Sequence, residues 1–185
     1  MSLDSNESLA PLLENCIQGD RHSQKMLYQQ FFSYAMSICL RYAPNKEEAQ
    51  EILNDGFLKV FTKLHTFDQK KPFRLWVRRI MINTAIDYYR KRDKGTQALE
   101  ITEARKVSQE ADVYSNLGEE EILKLVQELS PAYRTIFNLY VIEGFTHEEI
   151  AKKLNIHVGT SKSNLAKARK HLKKKLLKLN DINNL

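Results

Sequence analysis

The chain has 185 residues, 42% of them hydrophobic, and a formal net charge of +6. That length suits one domain or two small ones with compact cores. No stretch approaches the roughly 18 uninterrupted apolar residues of a membrane span, and the opening MSLDSNESLA lacks the basic start and apolar run of a secretion signal, so neither membrane insertion nor export is expected and the protein is placed in the cytoplasm.

The charge is segregated. Residues 1–58 are net −4, residues 59–94 net +8, residues 95–145 net −5 and residues 146–185 net +7. Two basic blocks separated by acidic ones point to two contacts with a polyanion. Cys16 and Cys39 stand far apart with no C-x-x-C, so neither zinc nor a redox pair is indicated, and Cys39, inside YAMSICL, reads as a small core hydrophobe.

Helical signals dominate along the chain. Asp20 caps a helix through RHSQKMLYQQFFSYAMSICLRY, which Pro44 ends. Asn45 with Glu48 makes the next capping pattern, opening KEEAQEILNDGFLKVFTKLH. Ala49, Leu53, Phe57, Val60 and Leu64 recur there every three or four residues and form the inward face. On the opposite side lie Glu51, Asn54, Asp55 and Leu58, an acidic and amide patch with one leucine at its edge. Carboxylates repel phosphates, so this patch suits a basic protein partner better than DNA. TFDQKK then reads as a loop, and Pro72 opens the following helix, where its missing N–H costs nothing.

That helix carries INTAIDYYRKR. At one hundred degrees per residue, Asn83, Asp87 and Arg90 fall within roughly a sixth of the circumference, and Arg79 joins them. Two apolar stripes flank this line: Phe73, Val77, Ile80, Thr84 and Tyr88 on one side, Leu75, Ile82, Ile86 and Tyr89 on the other. A helix packed on both sides of a polar stripe presents that stripe to something. Trp76, at the entry of the packed helix, reads as a core residue, with base stacking as the alternative.

After Lys94 the periodicity dissolves, and residues 95–117 read as a flexible linker. A second domain, 118–185, begins with the short helix EEEILKLVQELS. Ser130-Pro131 then caps and starts AYRTIFNLYVIE, which ends at Gly144. Thr146 and Glu149 form a capping box for another short helix with Ile150, Ala151 and Leu154 facing inward. A turn at Asn155–His157 leads to a basic helix whose inner face is Ser161, Leu165, Ala168, Leu172 and Leu176. Two helices joined by a short turn, the second basic, make a helix-turn-helix. A major groove about 12 Å wide admits one helix, and a supporting helix must hold it there. The outward face offers Thr160, Ser163, Asn164, Lys167, Lys170 and His171, with Lys162 at its edge. Asn164 is suited to base edges, and the lysines to phosphates. The fold class is all-α: two small helical domains, the second a helix-turn-helix.

Catalytic chemistry is not in evidence. HEEIA begins like the zinc-protease pattern H-E-x-x-H, but the second histidine would fall at Ala151. No phosphate-cradling glycine loop, catalytic triad or metal-ligand spacing appears, so no enzyme activity, metal or cofactor is expected.

The stretches EILNDGF, FDQKKPFRLWVRRIMINTAIDYYRKR, LSPAYRTIFNLYVIEGFTHEEIA and IHVGTSKSNLAKAR, in this order and spacing, resemble the bacterial sigma factors of the extracytoplasmic-function (ECF) group, over nearly the whole chain outside the linker. The resemblance implies an alternative sigma factor that directs transcription initiation. Its first domain (region two, residues 1–94) binds core RNA polymerase and opens the minus-ten element. Its second (region four, 118–185) reads the minus-thirty-five element as duplex. By the same resemblance Glu51, Asn54, Asp55 and Leu58 meet the clamp coiled coil of the largest core subunit, and the second domain meets the flap. Phe67, Lys70, Lys71, Arg79, Asn83, Asp87 and Arg90 face minus-ten DNA. The loop His65–Lys71 matches the family's base-capturing loop, with Phe67 and Asn83 in its pocket. Asp87 has an alternative role, orienting Arg90 or Lys91 by helix-spaced ion pairing. Thr160, Lys162, Ser163, Asn164, Lys167 and Lys170 face minus-thirty-five DNA. Promoter DNA, core polymerase and, as in many relatives, an anti-sigma protein are the implied partners.

Three positions depart from the family's usual residues. Asn54-Asp55 stands for Gln-Glu. Ser161 stands for Val, putting a hydroxyl on an inward face and loosening that turn. Asn164 stands for Arg, which bears on the promoter sequence read. Two other readings compete: a stand-alone helix-turn-helix regulator, which has no use for the basic, aromatic TFDQKKPFRLW segment, and a nucleoid protein binding without sequence preference.

Overall fold

The computed structural model describes residues 6–96 and 119–183, with side chains placed over 9–92 and 120–177. The linker expected at 95–117 lies almost wholly outside the described residues. Packing divides the chain into two compact units, Met1–Asp87 and Tyr88–Leu185. Every regular element among the described residues is helical.

In the first unit, α1 (Asn6–Ile17) was not expected. It buries Leu9, Leu13 and Cys16, spaced four and three apart. Pro11 inside the helix and its polar start mask the period, because proline removes a helical donor. The chain then turns at Gly19, whose φ of +84° places it in the left-handed region that glycine occupies without strain. Asp20 caps α2 (Arg21–Tyr42): its carboxylate accepts from the Ser23 N–H at 2.8 Å. Leu27, Phe31, Ala35, Ile38 and Cys39 line the buried face of α2. Burial pushes the Cys16 thiol up to about 11 and the Cys39 thiol up to about 12, so both stay protonated core groups.

Asn45 caps α3 (Lys46–Lys63) by accepting from the Glu48 N–H at 2.8 Å. Ala49, Leu53, Phe57, Val60 and, in the 3-10 turn Leu64–Thr66, Leu64 are all buried as the period required. Gly56 is also buried, and a Cβ there would lie 2.3 Å from Met81 Sδ. A side chain at position 56 therefore displaces Met81 or separates α3 from α4, which accounts for a glycine in mid-helix.

The helix that closes this unit, α4, spans Phe73–Thr96, running past the unit's last residue, Asp87, and two residues past the domain end expected at 94. Its burial differs from the two stripes read in the sequence. Phe73, Val77 and Thr84 on one side and Ile82 and Ile86 on the other are buried, and Met81 and Ala85 between them are buried as well. The two stripes thus merge into one broad face. Leu75 does not belong to it and stands 60% exposed.

In the second unit, α5 (Glu119–Gln127) is followed by α6 (Pro131–Phe137), capped by Ser130. The single helix expected through Glu143 breaks into a wider π turn, Asn138–Ile142, before Gly144 at φ +76° ends it. The extra residue per turn leaves Leu139 in the core and sets Tyr140 against His147. Arg134, only 3% exposed, is the charged group in this core. Its Nε donates to the Val126 carbonyl at 3.3 Å, and Nη2 donates to those of Gln127 and Leu129 at 2.6 and 2.8 Å. Carbonyls at the end of α5, the Val126 one shared with the Leu129 N–H, satisfy the buried cation.

α7 (His147–Leu154) carries the full capping box: Thr146 Oγ1 accepts from the Glu149 N–H at 3.2 Å, and Glu149 Oε2 accepts from the Thr146 N–H at 2.8 Å. Asn155, at φ 54°, reverses the chain in the left-handed region that asparagine tolerates. α8 (Val158–Asn183) follows. Ser161, Leu165, Ala168 and Leu172 are its buried line. Leu176, expected on that line, is 43% exposed, because the packing partners on α5 and α6 end before it.

Candidate polymerase and nucleic-acid interfaces

The first unit offers two outer faces of opposite character. On α3, Glu51, Asn54, Asp55 and Leu58 are all exposed, Leu58 to 64%. They share one side because the core takes the other. Asn54 is not a loose amide: its Oδ1 accepts from Gln50 Nε2 at 2.9 Å and from the Tyr28 hydroxyl at 3.4 Å, so α2 helps fix it.

On α4 the exposed line runs through Leu75, Arg79 and Asn83 to the half-exposed Asp87, at steps of four residues. Arg90 follows one turn on. Asp87 pairs with Lys59 Nζ of α3 at 2.9 Å, a partner across the helix contact that the sequence did not suggest. Lys59 begins the basic block and stands one residue after Leu58, so it faces α4 where Leu58 faces outward. Pairing with Lys59 offsets the carboxylate's repulsion of phosphate, leaving Arg79 and Asn83 to set the stripe's chemistry.

The loop before α4 is organised by Asp68, which accepts from the Lys70 N–H at 3.1 Å and lies 3.7 Å from Lys71 Nζ. Lys70 and Lys71 are exposed at its tip. Phe67 is half-buried, edge-on to Phe73 at 5.1 Å and 5.3 Å from the Trp76 ring. Trp76 is also half-buried, its ring packed against Phe73 at 5.6 Å as well as Phe67, and with Phe67 it makes a partly open aromatic shelf. Asn83 stands two turns further along α4, about 10 Å by helical rise. Exposed Arg74, missed in the sequence, lies 4.1 Å over the Tyr34 ring.

In the second unit, Thr160, Lys162, Ser163, Lys167, Lys170 and His171 are exposed on α8. Asn164 is half-buried, not fully outward. It sits three residues after buried Ser161 and one before buried Leu165, at the margin of the packed line. Exposed Arg169, also missed, lies 5.8 Å over the Tyr140 ring. Ser161 does not loosen its turn: its hydroxyl is 2.9 Å from His147 Nδ1 of α7. On the far side of α8, Lys175 pairs with Glu128, so that lysine is committed to the fold. The Glu149 carboxylate is held below its ordinary value by the Thr146 backbone N–H first and its hydroxyl second. Among the described residues no His, Cys, Asp and Glu cluster forms a metal site, and no helix is long and apolar enough to cross a membrane.

A helical unit with an acidic outer face and a basic amide stripe, joined in one chain to a helix-turn-helix, defines a two-part DNA-binding transcription factor. Residues 27–95 match sigma-70 region 2, and residues 119–172 match sigma-70 region 4. The chain is 31% identical to the ECF RNA polymerase sigma factor SigW of Bacillus subtilis, over 75% of this chain and 81% of that protein. It is 26% identical to the RNA polymerase sigma-H factor of Pseudomonas aeruginosa, over 89% and 92%. The fold is shared with the Bartonella quintana sigma factor RpoE, solved in complex with the anti-sigma factor NepR: TM-score 0.51, 22% identity, 82% of this chain and 95% of that one. The chain belongs to the ECF group of the sigma-70 family and is an alternative sigma factor directing promoter recognition. Matches to both regions leave no support for a stand-alone helix-turn-helix regulator.

Proposed function

We propose that the labour of initiation is divided by helix. The outer face of α3, with Asp55 and Leu58 at its centre, docks on a basic helical element of core RNA polymerase, the clamp coiled coil. The α4 line Arg79–Asn83 and the Phe67–Lys71 loop hold the separated minus-ten strand. The outer face of α8 reads the minus-thirty-five duplex. The observation that carries this reading is the opposition of charge within one small unit: an acidic, amide and leucine face on α3 beside a basic, amide stripe on α4 whose carboxylate Lys59 neutralises. Two such faces serve two kinds of partner.

Capturing an unpaired base costs a few kcal/mol of unstacking, which aromatic faces and positive charge offset. The half-open Phe67–Trp76 shelf and the exposed Lys70 and Lys71 supply both. The chain acts in the cytoplasm with no catalytic chemistry of its own, and an anti-sigma protein of the kind bound to the Bartonella relative holds it silent. In vitro transcription from a genomic fragment library, with core polymerase and with or without this protein, tests the reading. Transcripts that depend on the protein and share a two-element promoter are expected. Duplex binding with no added transcript would reject it.

A further inference from the structure

His147 and Tyr140 take no part in the interfaces above, yet between them they touch the reading helix twice. The Tyr140 and His147 rings are stacked at 4.4 Å with an interplanar angle of 24°. From one end of this stack, His147 Nδ1 meets Ser161 Oγ at 2.9 Å, at a serine with no exposed surface. From the other end, the Tyr140 face lies 5.8 Å under the Arg169 guanidinium. Ser161 and Arg169 are eight residues apart, about 12 Å of helix. Between them lie Ser163, Asn164 and Lys167; Thr160 and Lys162 flank Ser161 itself. The π turn supplies one ring, the supporting helix the other, and α8 is held on both sides of the segment that faces DNA.

We infer that the Tyr140–His147 stack is a bracket that sets the pose of α8, and that His147 and Ser161 are positioning residues for base recognition, acting through Thr160, Lys162 and Ser163. The rest of the buried line of α8, Leu165, Ala168 and Leu172, packs by apolar contact, which fills space but tolerates small rotations about the helix axis. A hydrogen bond at Ser161 fixes that rotation, because its donor–acceptor geometry is directional. A serine hydroxyl donates to a bare imidazole nitrogen or accepts from a protonated one, so the bond survives either tautomer. A rotation of α8 moves hydrogen-bonding groups off base edges while leaving long, flexible lysines able to reach phosphates. The bracket therefore governs specificity and not bulk affinity.

This inference rests on α8 reading duplex DNA, and the test separates the two. Holoenzyme carrying His147→Phe, Ser161→Ala or both is presented with a promoter library randomised over the duplex element. The affinity ratio between selected and random duplex is measured beside the melting temperature. His147→Phe keeps a stacked ring and removes only the hydrogen bond. Each single variant should lower the ratio about fivefold, the worth of one hydrogen bond. The double variant should lose little more, since the two groups share one bond. The salt slope should be unchanged, and Ser161→Thr, which keeps the hydroxyl, should retain the parent preference. A lower melting temperature with an unaltered ratio would overturn the bracket. If Thr160→Ala and Ser163→Ala still shift the preference in that case, the duplex-reading role of α8 stands without it. If they do not, both fall together.

Discussion

α4 and α8, the two helices proposed to meet nucleic acid, are built in opposite ways. α4 is buried around most of its circumference, from Phe73 and Val77 through Met81 and Ala85 to Ile82 and Ile86, and it spares one narrow line. Among its described side chains α8 fully buries one narrow line, Ser161, Leu165, Ala168 and Leu172, and leaves most of the others exposed. A helix held on nearly all sides presents a few groups at fixed positions, as gripping one displaced base requires. A helix held along one edge leaves a broad face, as filling a groove requires. Charge follows the same division. On α4 Asp87 is paired from the neighbouring helix, whereas on α8 the fold draws on Lys175 and leaves Lys167 and Lys170 exposed.

The largest break in this comparison comes from the face that touches neither helix's DNA. Asp55→Lys puts a cation in the acidic face of α3 and should abolish co-purification with core polymerase and all dependent transcription, while duplex binding through α8 persists. Co-purification at the parent level would show that this face is not the docking surface.

Next in size is the core of the second unit. Arg134→Met removes the buried donor that serves the Gln127 and Leu129 carbonyls and shares that of Val126, and unfolding by denaturant should show a loss of about 2–4 kcal/mol. Lys59→Met breaks a half-exposed pair, and the same measurement should show about 1 kcal/mol or less. Equal losses would mean that the Lys59–Asp87 pair is far better shielded than its exposure indicates.

Much of this contrast was legible in the sequence, and the reasons are local. Capping residues at Asp20, Asn45, Ser130 and Thr146 mark helix starts because a side-chain oxygen must meet an orphan N–H, and each does so. The α4 line was visible as a gap in an apolar pattern. The line is wider than the pattern indicates, because Leu75 at the helix entry obeys the period yet stands 60% exposed. What escaped was set by partners distant in sequence. Lys59 pairs with Asp87 across 28 residues, and the hydroxyl of Ser161 is satisfied by a histidine in another helix. The π turn carries no composition signal, and α1 was hidden by Pro11.

A finer distinction concerns kinds of contact on α8. Lys167→Ala and Lys170→Ala should each flatten the salt dependence of duplex binding by about one unit and leave the selected sequence alone. Half-buried Asn164, changed to alanine, should shift base preference at one position. The smallest effect is acid sensitivity at the α7 cap. The Glu149 carboxylate sits below its ordinary value of 4.5 in the folded state. Its contribution is complete above that value and is lost as pH falls through the lower folded value. Glu149→Gln should remove this part of the acid dependence of melting and change nothing near neutrality beyond a small constant offset.

The central claim is that α4 opens and α8 reads. Permanganate reactivity of unpaired thymines and protection of the minus-thirty-five duplex, measured together on one promoter, test it most directly. Holoenzyme with Asn83→Ala should lose permanganate reactivity and keep the upstream protection. Holoenzyme with Thr160→Ala and Ser163→Ala should lose the protection first. Equal loss of both signals in both variants would contradict the division.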